Sequence, residues 1–232
     1  MTEVNSRRRG AAYNSILQGT APRRAAAATR ESSTIHPPSG QIMSSTHQTG
    51  HGSPAFTPFG AIEGTHWIET LADGSPVLVR PLRPDDRQRE TDFINRLSGE
   101  ACRFRFLGGM KGANPALIDS LMNVDARRRL AFVALAHDNG ELREVGVSRY
   151  AASADDKHCE CAVTVADDWR HRGLAVLLMR RLIEAARKNG FRQMFSIDAA
   201  GNEPMRELAA YLGFTRRLDP DDAAQVIHTL DL

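Results

Sequence analysis

Val163-Thr164-Val165-Ala166-Asp167-Asp168-Trp169-Arg170-His171-Arg172-Gly173-Leu174-Ala175 is the stretch that decides the fold. A buried strand runs into a short loop, and the loop runs into a helix predicted from about Arg172 to Lys188. Ala175, Leu178, Leu182 and Ala186 share one face of that helix, and Gly190 stops it. Gly173 and the small Ala175 at the helix start let backbone N–H groups approach a ligand without side chains in the way. A helix N-terminus presents unpaired donors and positive potential, which suits a pyrophosphate. Arg170 and Arg172 would add charge-assisted bonds. An ordinary strand-turn-helix with a capping glycine has the same local pattern, so the context must decide.

Upstream, Trp67-Ile68-Glu69-Thr70-Leu71 and the turn Asp73-Gly74 feed a first strand, Val77-Leu78-Val79-Arg80. Pro84-Asp85-Asp86 starts a helix, with proline and acids where the N-terminal dipole favours them. Phe93, Ile94 and Leu97 mark its buried side. Ser98-Gly99-Glu100 opens a second helix through Phe106, ended by Gly108-Gly109, and Asn114-Pro115 caps a third containing Leu117, Ile118 and Leu121. Ala131 to Ala136 is a continuous apolar run, predicted to be a strand buried on both faces. Asp138-Asn139-Gly140-Glu141 turns into Val145–Tyr150, and Asp155-Asp156-Lys157 turns into Glu160–Val165. After the long helix come a strand from Phe191 to Ile197, a helix capped by Asn202, a strand begun by Gly213-Phe214, and a last one from Gln225 to Leu230. This order predicts one α/β domain with a mixed sheet.

Residues 1–62 are dominated by Ser, Thr, Gly, Pro, His, Ala and Arg without hydrophobic period, so a disordered basic tail is expected there and the folded domain over 63–232. Three readings of the tail stand side by side: an organelle transit peptide, over-called sequence upstream of a true start at Met43, or a solvated arm for acidic partners. The tail carries a net +4 and the remainder about −2. Without a basic surplus on the folded part, nucleic-acid binding is not expected. No apolar stretch approaches the ~20 residues of a membrane span. Cys102, Cys159 and Cys161 form no disulfide framework. On a strand, Cys159 and Cys161 point to one face and His158 and Glu160 to the other, so no metal site is expected. The expectation is a reduced, cytoplasmic protein; its oligomeric state is not legible.

Arg170-x-x-Gly173-x-Ala175 resembles the Gln/Arg-x-x-Gly-x-Gly/Ala signature of the GNAT superfamily of N-acetyltransferases, and it follows the fourth core strand as in that family. Asn202-x-x-Met205-x-x-Leu208-Ala209-x-x-Leu212-Gly213-Phe214 resembles the family's second motif, Asn-x-x-Ala-x-x-Leu-Tyr-x-x-x-Gly-Phe. The resemblance covers about 75 to 232. It implies a single GNAT-like domain, with a mixed, mostly antiparallel twisted sheet flanked by helices, that uses acetyl-CoA. The implied cofactor-binding residues are Val163, Thr164, Val165, Arg170, His171, Arg172, Gly173, Leu174, Ala175 and Asn202. Val163 and Val165 would pair with the pantetheine, and the splayed strand would leave an N–H to polarise the acetyl carbonyl.

A lysine-like acceptor, with a reference pKa of ~10.4, must lose a proton before it attacks a thioester. Glu160, three residues ahead of Val163, is the candidate base, since related enzymes carry a Glu near this point. The alternative is a Glu160 that faces solvent or pairs with an arginine. His158 is a reserve acid–base candidate, and His171 lies in the pyrophosphate loop. Where many family members place a tyrosine to protonate the leaving thiolate, this chain has Ala209. Tyr211 lies about 200° round the helix, so no general acid is assigned.

Asp73-Gly74-x-x-Val77-x-Val79-Arg80-Pro81-Leu82-Arg83-Pro84-x-Asp86, with Leu97-Ser98-x-Glu100-x-x-x-Phe104-Arg105-Phe106, is similar to the acetyltransferase domain of bacterial protein lysine acetyltransferases. That domain is often fused to an acyl-CoA synthetase-like or nucleotide-sensing domain, which 232 residues cannot also hold, and many stand-alone proteins share the pattern. A protein lysine is therefore the expected acceptor. The alternatives are a small-molecule amine, or a non-catalytic acyl-CoA sensor. The mixed charges at Arg103, Arg105 and Arg127 to Arg129 show no acidic pocket for a polycation.

Overall fold

The computed structural model describes residues 64–107 and 112–232. The expected tail and the Gly108-Gly109 helix stop lie outside the described residues. Among the described residues, eight strands form one sheet in the order β1-β2-β3-β4-β5-β6-β8-β7: β1 Trp67–Thr70, β2 Pro76–Pro81, β3 Arg129–Asp138, β4 Glu141–Ala152, β5 His158–Val165, β6 Gln193–Ala199, β7 Thr215–Leu218 and β8 Gln225–Asp231. Every neighbouring pair is antiparallel except β5 and β6. Helices α1 Arg87–Arg96, α2 Gly99–Phe106 and α3 Pro115–Met122 lie between β2 and β3, α4 Leu174–Lys188 follows β5, and α5 Glu203–Tyr211 follows β6. Among the described residues no helix is long and apolar enough to cross a membrane.

The doubly apolar run in β3 explains the layering. Ala131, Val133 and Leu135 pack with Phe93, Ile94, Leu117 and Ile118 of α1 and α3. Phe132, Ala134 and Ala136 pack on the opposite face with Leu174, Leu178 and Leu182 of α4. Ala209 of α5 joins this second layer. One sheet thus separates two cores, with α1–α3 on one face and α4 and α5 on the other.

Buried charges anchor the first layer. Arg80 grips Asp86 through two bonds of 2.6 and 2.7 Å, and the Arg83 N–H adds a third at 2.8 Å. Burial opposes ionisation of Asp86, yet these donors hold its carboxyl below the usual range. Arg149 on β4 donates to Glu90 of α1 at 2.6 Å and to the Leu121 carbonyl at 2.9 Å.

The β3–β4 register shifts between Ala134, opposite Gly146, and Leu135, opposite Glu144, so Val145 is an inserted residue. The bulge reverses the facing of the strand before it. Val145 turns into the α4 layer, and Glu144 turns toward Glu90. Burial and then the Glu90 charge push the Glu144 carboxyl well above the usual range. Its folded pKa therefore exceeds the unfolded one, so the unfolded chain holds fewer protons above the ordinary glutamate range. Stability falls with rising pH until the folded carboxyl ionises, by up to about 1.4 kcal/mol per pH unit. Glu144→Gln removes this dependence: the variant's Tm at neutral pH should equal or exceed that of the wild type. A thermal-denaturation series in which both proteins decline with the same slope would contradict this.

Candidate active site

The pairing of β5 and β6 covers only three rungs: His158 with Gln193, Cys159 with Met194, and Glu160 with Phe195. Beyond Glu160, β5 continues to Val165 along β4 alone, while β6 continues to Ala199 along β8. The two strands part and leave a cleft.

Strand alternation fixes which groups line it. The Ala166 N–H donates to the Val145 carbonyl at 2.9 Å, and the His158 carbonyl accepts from Ser153 N–H at 2.8 Å. Even-numbered residues of β5 thus turn their main-chain groups toward β4. Lys157 turns its carbonyl the other way, accepting from Arg192 N–H at 2.8 Å. By the same alternation, Val163 and Val165 direct their main-chain N–H and C=O groups to the side that β6 has left. Thr164 departs from the expectation: its main-chain groups face β4, and its side chain is buried with an unpartnered hydroxyl oxygen.

The cleft opens at the N-terminus of α4. Gly173 caps this helix with φ of 85°, a left-handed conformation suited to glycine, and His171 also has a positive φ, 61°. The helix begins at Leu174, two residues later than the sequence predicts, because these positive angles break the helical path. Leu177 N–H already bonds the Gly173 carbonyl at 3.1 Å, so the donors open to a ligand are those of the turn before it. A Cβ built on Gly173 meets no atom within 4 Å, so open space lies in front of this turn. The geometry fits a phosphate group. Leu174 contributes only its backbone, its side chain being in the core.

Gly146 brings the helix to this position. A Cβ there would lie 3.1 Å from Leu178 Cδ1, 3.2 Å from Leu174 Cδ2 and 3.3 Å from the Thr164 carbonyl. Only a bare backbone lets the first turns of α4 lie so close to β4. Gly146→Val should lift the helix, costing roughly 1–3 kcal/mol of stability and weakening cofactor binding; unchanged Tm and affinity would contradict this.

Arg170 and Arg172 both have partners within the chain. Arg170 pairs with Asp167 at 2.7 Å and with Glu100 at 3.7 Å. Arg172 bonds Asp73 at 3.0 Å and the Asp168 carbonyl at 2.7 Å, and stacks over Trp169. Both side chains brace the loop against neighbouring segments. Asn202 accepts from Met205 N–H at 3.2 Å, capping α5.

Glu160 occupies the last shared rung, where the cleft begins. Its flanking Cys159 and Cys161 point into the α4 core, so Glu160 points to the α1–α3 face, 8% exposed. Burial raises both thiols, Cys159 to about 12. His158 is paired with Asp155 at the far end of the strand. Arg105 of α2 was not singled out as a site residue by sequence reasoning. Burial and then the Arg149 charge push its guanidinium down to about 10, against the pull of Glu90, Glu160 and Asp198. A charged residue between Phe104 and Phe106 is the one sequence signal that could have marked it.

The sequence profile of the Acetyltransferase (GNAT) family matches residues 109–214. Acetyltransferase PA5475 of Pseudomonas aeruginosa is 59% identical over 174 residues, 75% of this chain and 94% of that protein. The chain belongs to the GNAT acetyltransferase family. The GNAT domain of S. lividans PAT shares its fold, at 23% identity and a TM-score of 0.65 over 72% of this chain and 97% of that one. A cAMP-binding acyltransferase from Mycobacterium smegmatis is similar over 72% of this chain and 47% of that one, at 24% identity and a TM-score of 0.50. In this GNAT acetyltransferase, β5 parts from β6 after Glu160 and then leads into the glycine-capped start of α4.

Proposed function

We propose that this chain transfers the acetyl group of acetyl-CoA to a protein lysine, with Glu160 as general base. The observation that carries this reading is the place of Glu160: on the last rung before β5 and β6 part, facing the layer opposite α4. The acetyl group arrives as a thioester, which supplies an activated carbonyl carbon. The first turn of α4 holds the pyrophosphate through backbone N–H groups. The main-chain edge at Val163 and Val165 aligns the pantetheine, and its N–H groups stabilise charge developing on the carbonyl oxygen. Glu160 takes a proton from the amine, which attacks from the α1–α3 face. Arg105 lies within electrostatic reach of Glu160 and supplies positive charge on the face from which the amine attacks.

A lysine on a protein is favoured over a small polycation because the nearby acids are already committed. Glu90 is bound to Arg149, and burial disfavours charge on Glu144. No acidic pocket remains among them to hold a polyamine. The test is release of CoA thiol from acetyl-CoA against a panel of lysine peptides and small amines. Turnover with peptides is expected. Turnover restricted to small amines overturns the acceptor, and binding of acetyl-CoA without turnover of any amine overturns the enzyme reading.

A further inference from the structure

Acetyl transfer leaves a thiolate that needs a proton, and the face of the sheet opposite Glu160 holds a group able to deliver one. On β6, Met194 points into the α4 layer, and so by alternation do Ser196 and Asp198. Ser196 pairs with His228 across the β6–β8 ladder, which puts the histidine on the same face. The Ser196 hydroxyl donates to Asp198 Oδ2 at 2.6 Å, and His228 Nδ1 lies 3.1 Å from the same oxygen. Ser196 is 2% exposed and His228 1%, and His228 Nε2 is buried without a hydrogen-bond partner. Such a network is costly to bury when left incomplete. The hydroxyl is bonded to the carboxylate and not to the imidazole, so this is not the arrangement of a serine nucleophile activated by histidine.

Its position is the second observation. Ser196 is the first β6 residue beyond the last rung shared with β5, level with Cys161 and two residues short of Val163, so it begins the wall that β6 presents to the cleft. Leu230 Cδ1 lies 3.9 Å from a Cβ built on Gly213, at the end of α5. Two strand residues back, at ~3.3 Å each, equal four to five helix residues at ~1.5 Å. By this count His228 lies near the level of Ala209, whose methyl side chain is itself buried in the α4 layer. Base and acid thus lie on opposite faces of the sheet at one end of the cleft, as the amine and the sulfur lie on opposite sides of the carbonyl carbon.

Resting on the function proposed above, we propose that Ser196, replenished by Asp198 and His228, protonates the departing CoA thiolate. The amine nitrogen bonds to the acetyl carbon and its proton goes to Glu160. The C–S bond breaks with its electron pair on sulfur, and sulfur takes the Ser196 hydroxyl proton. Asp198 passes the His228 Nδ1 proton to Ser196, and the unpartnered Nε2 takes one in its place from water admitted as CoA departs, so the ring ends neutral. Ser196 is the catalytic residue here; Asp198 and His228 are positioning and relay residues.

The test compares full-length wild type, Ser196→Ala and His228→Gln on acetyl-CoA and on its oxygen-ester analogue, whose alkoxide needs a proton far more than a thiolate does. Both variants should lose about tenfold to a hundredfold in kcat on acetyl-CoA with KM little changed, and more on the oxygen ester. Equal losses on both donors, or a loss confined to KM, overturn the relay as merely structural. Wild-type turnover with Ser196→Ala at full rate on both donors overturns the relay alone. Absence of wild-type turnover with every amine overturns the relay together with the function on which it rests.

Discussion

Glu160→Gln should lower kcat for acetyl transfer by about 10²- to 10³-fold while leaving the affinity for acetyl-CoA unchanged. The substitution keeps the size of the side chain and removes only its ability to take a proton. Glu160 lies where β5 and β6 are last paired, on the face away from α4, whereas the proposed pyrophosphate cradle is the N-terminus of α4. Chemistry and cofactor binding are therefore separable by mutation. The loss should be greatest where the acceptor amine is mostly protonated and should shrink as alkaline pH supplies the free amine. Steady-state rates across the neutral to alkaline range check this. A variant that keeps the full rate throughout removes Glu160 from the mechanism without touching the family assignment.

The second large effect is at the N-terminus of α4. Gly173→Glu should weaken acetyl-CoA binding by at least about a hundredfold, since loss of several charge-assisted hydrogen bonds is worth about 1.5–3 kcal/mol apiece. With no atom within 4 Å of a built Cβ, the new side chain enters the space in front of the helix. Its carboxylate competes for the donors that would hold phosphate and repels the phosphate charge. The φ of 85° costs any L-residue some strain, so Gly173→Ala is the control for that effect alone. Titration calorimetry with acetyl-CoA separates the two. Equal affinities for wild type and Gly173→Glu would remove the α4 N-terminus from the cofactor site.

Much of this architecture is legible in local sequence because local rules act on it. The doubly apolar Ala131–Ala136 run becomes a strand with cores on both sides. Cys159 and Cys161 face the α4 core by simple alternation, which turns Glu160 the other way. What alternation misreads is β4, where the inserted Val145 reverses the facing of Glu144. A bulge is set by register with β3, and no single strand announces it. The insertion of β8 between β6 and β7 is equally non-local. It brings His228 to Asp198, 30 residues earlier in the chain, beside Ser196. The charge of the loop arginines is legible in the sequence, whereas their acidic partners at Asp73 and Glu100 come from distant segments. Motif spacing thus marks the loop and the helix start, while side-chain pairing across elements is decided by tertiary contacts.

Incubation of the full chain with acetyl-CoA and a lysine-containing peptide, followed by mass spectrometry of the peptide, tests the central claim most directly. A peptide one acetyl group heavier, formed by the wild type and strongly reduced with Glu160→Gln, is the predicted result. Acetyl-CoA bound by the wild type, with peptide and small amines alike left unmodified, would contradict it.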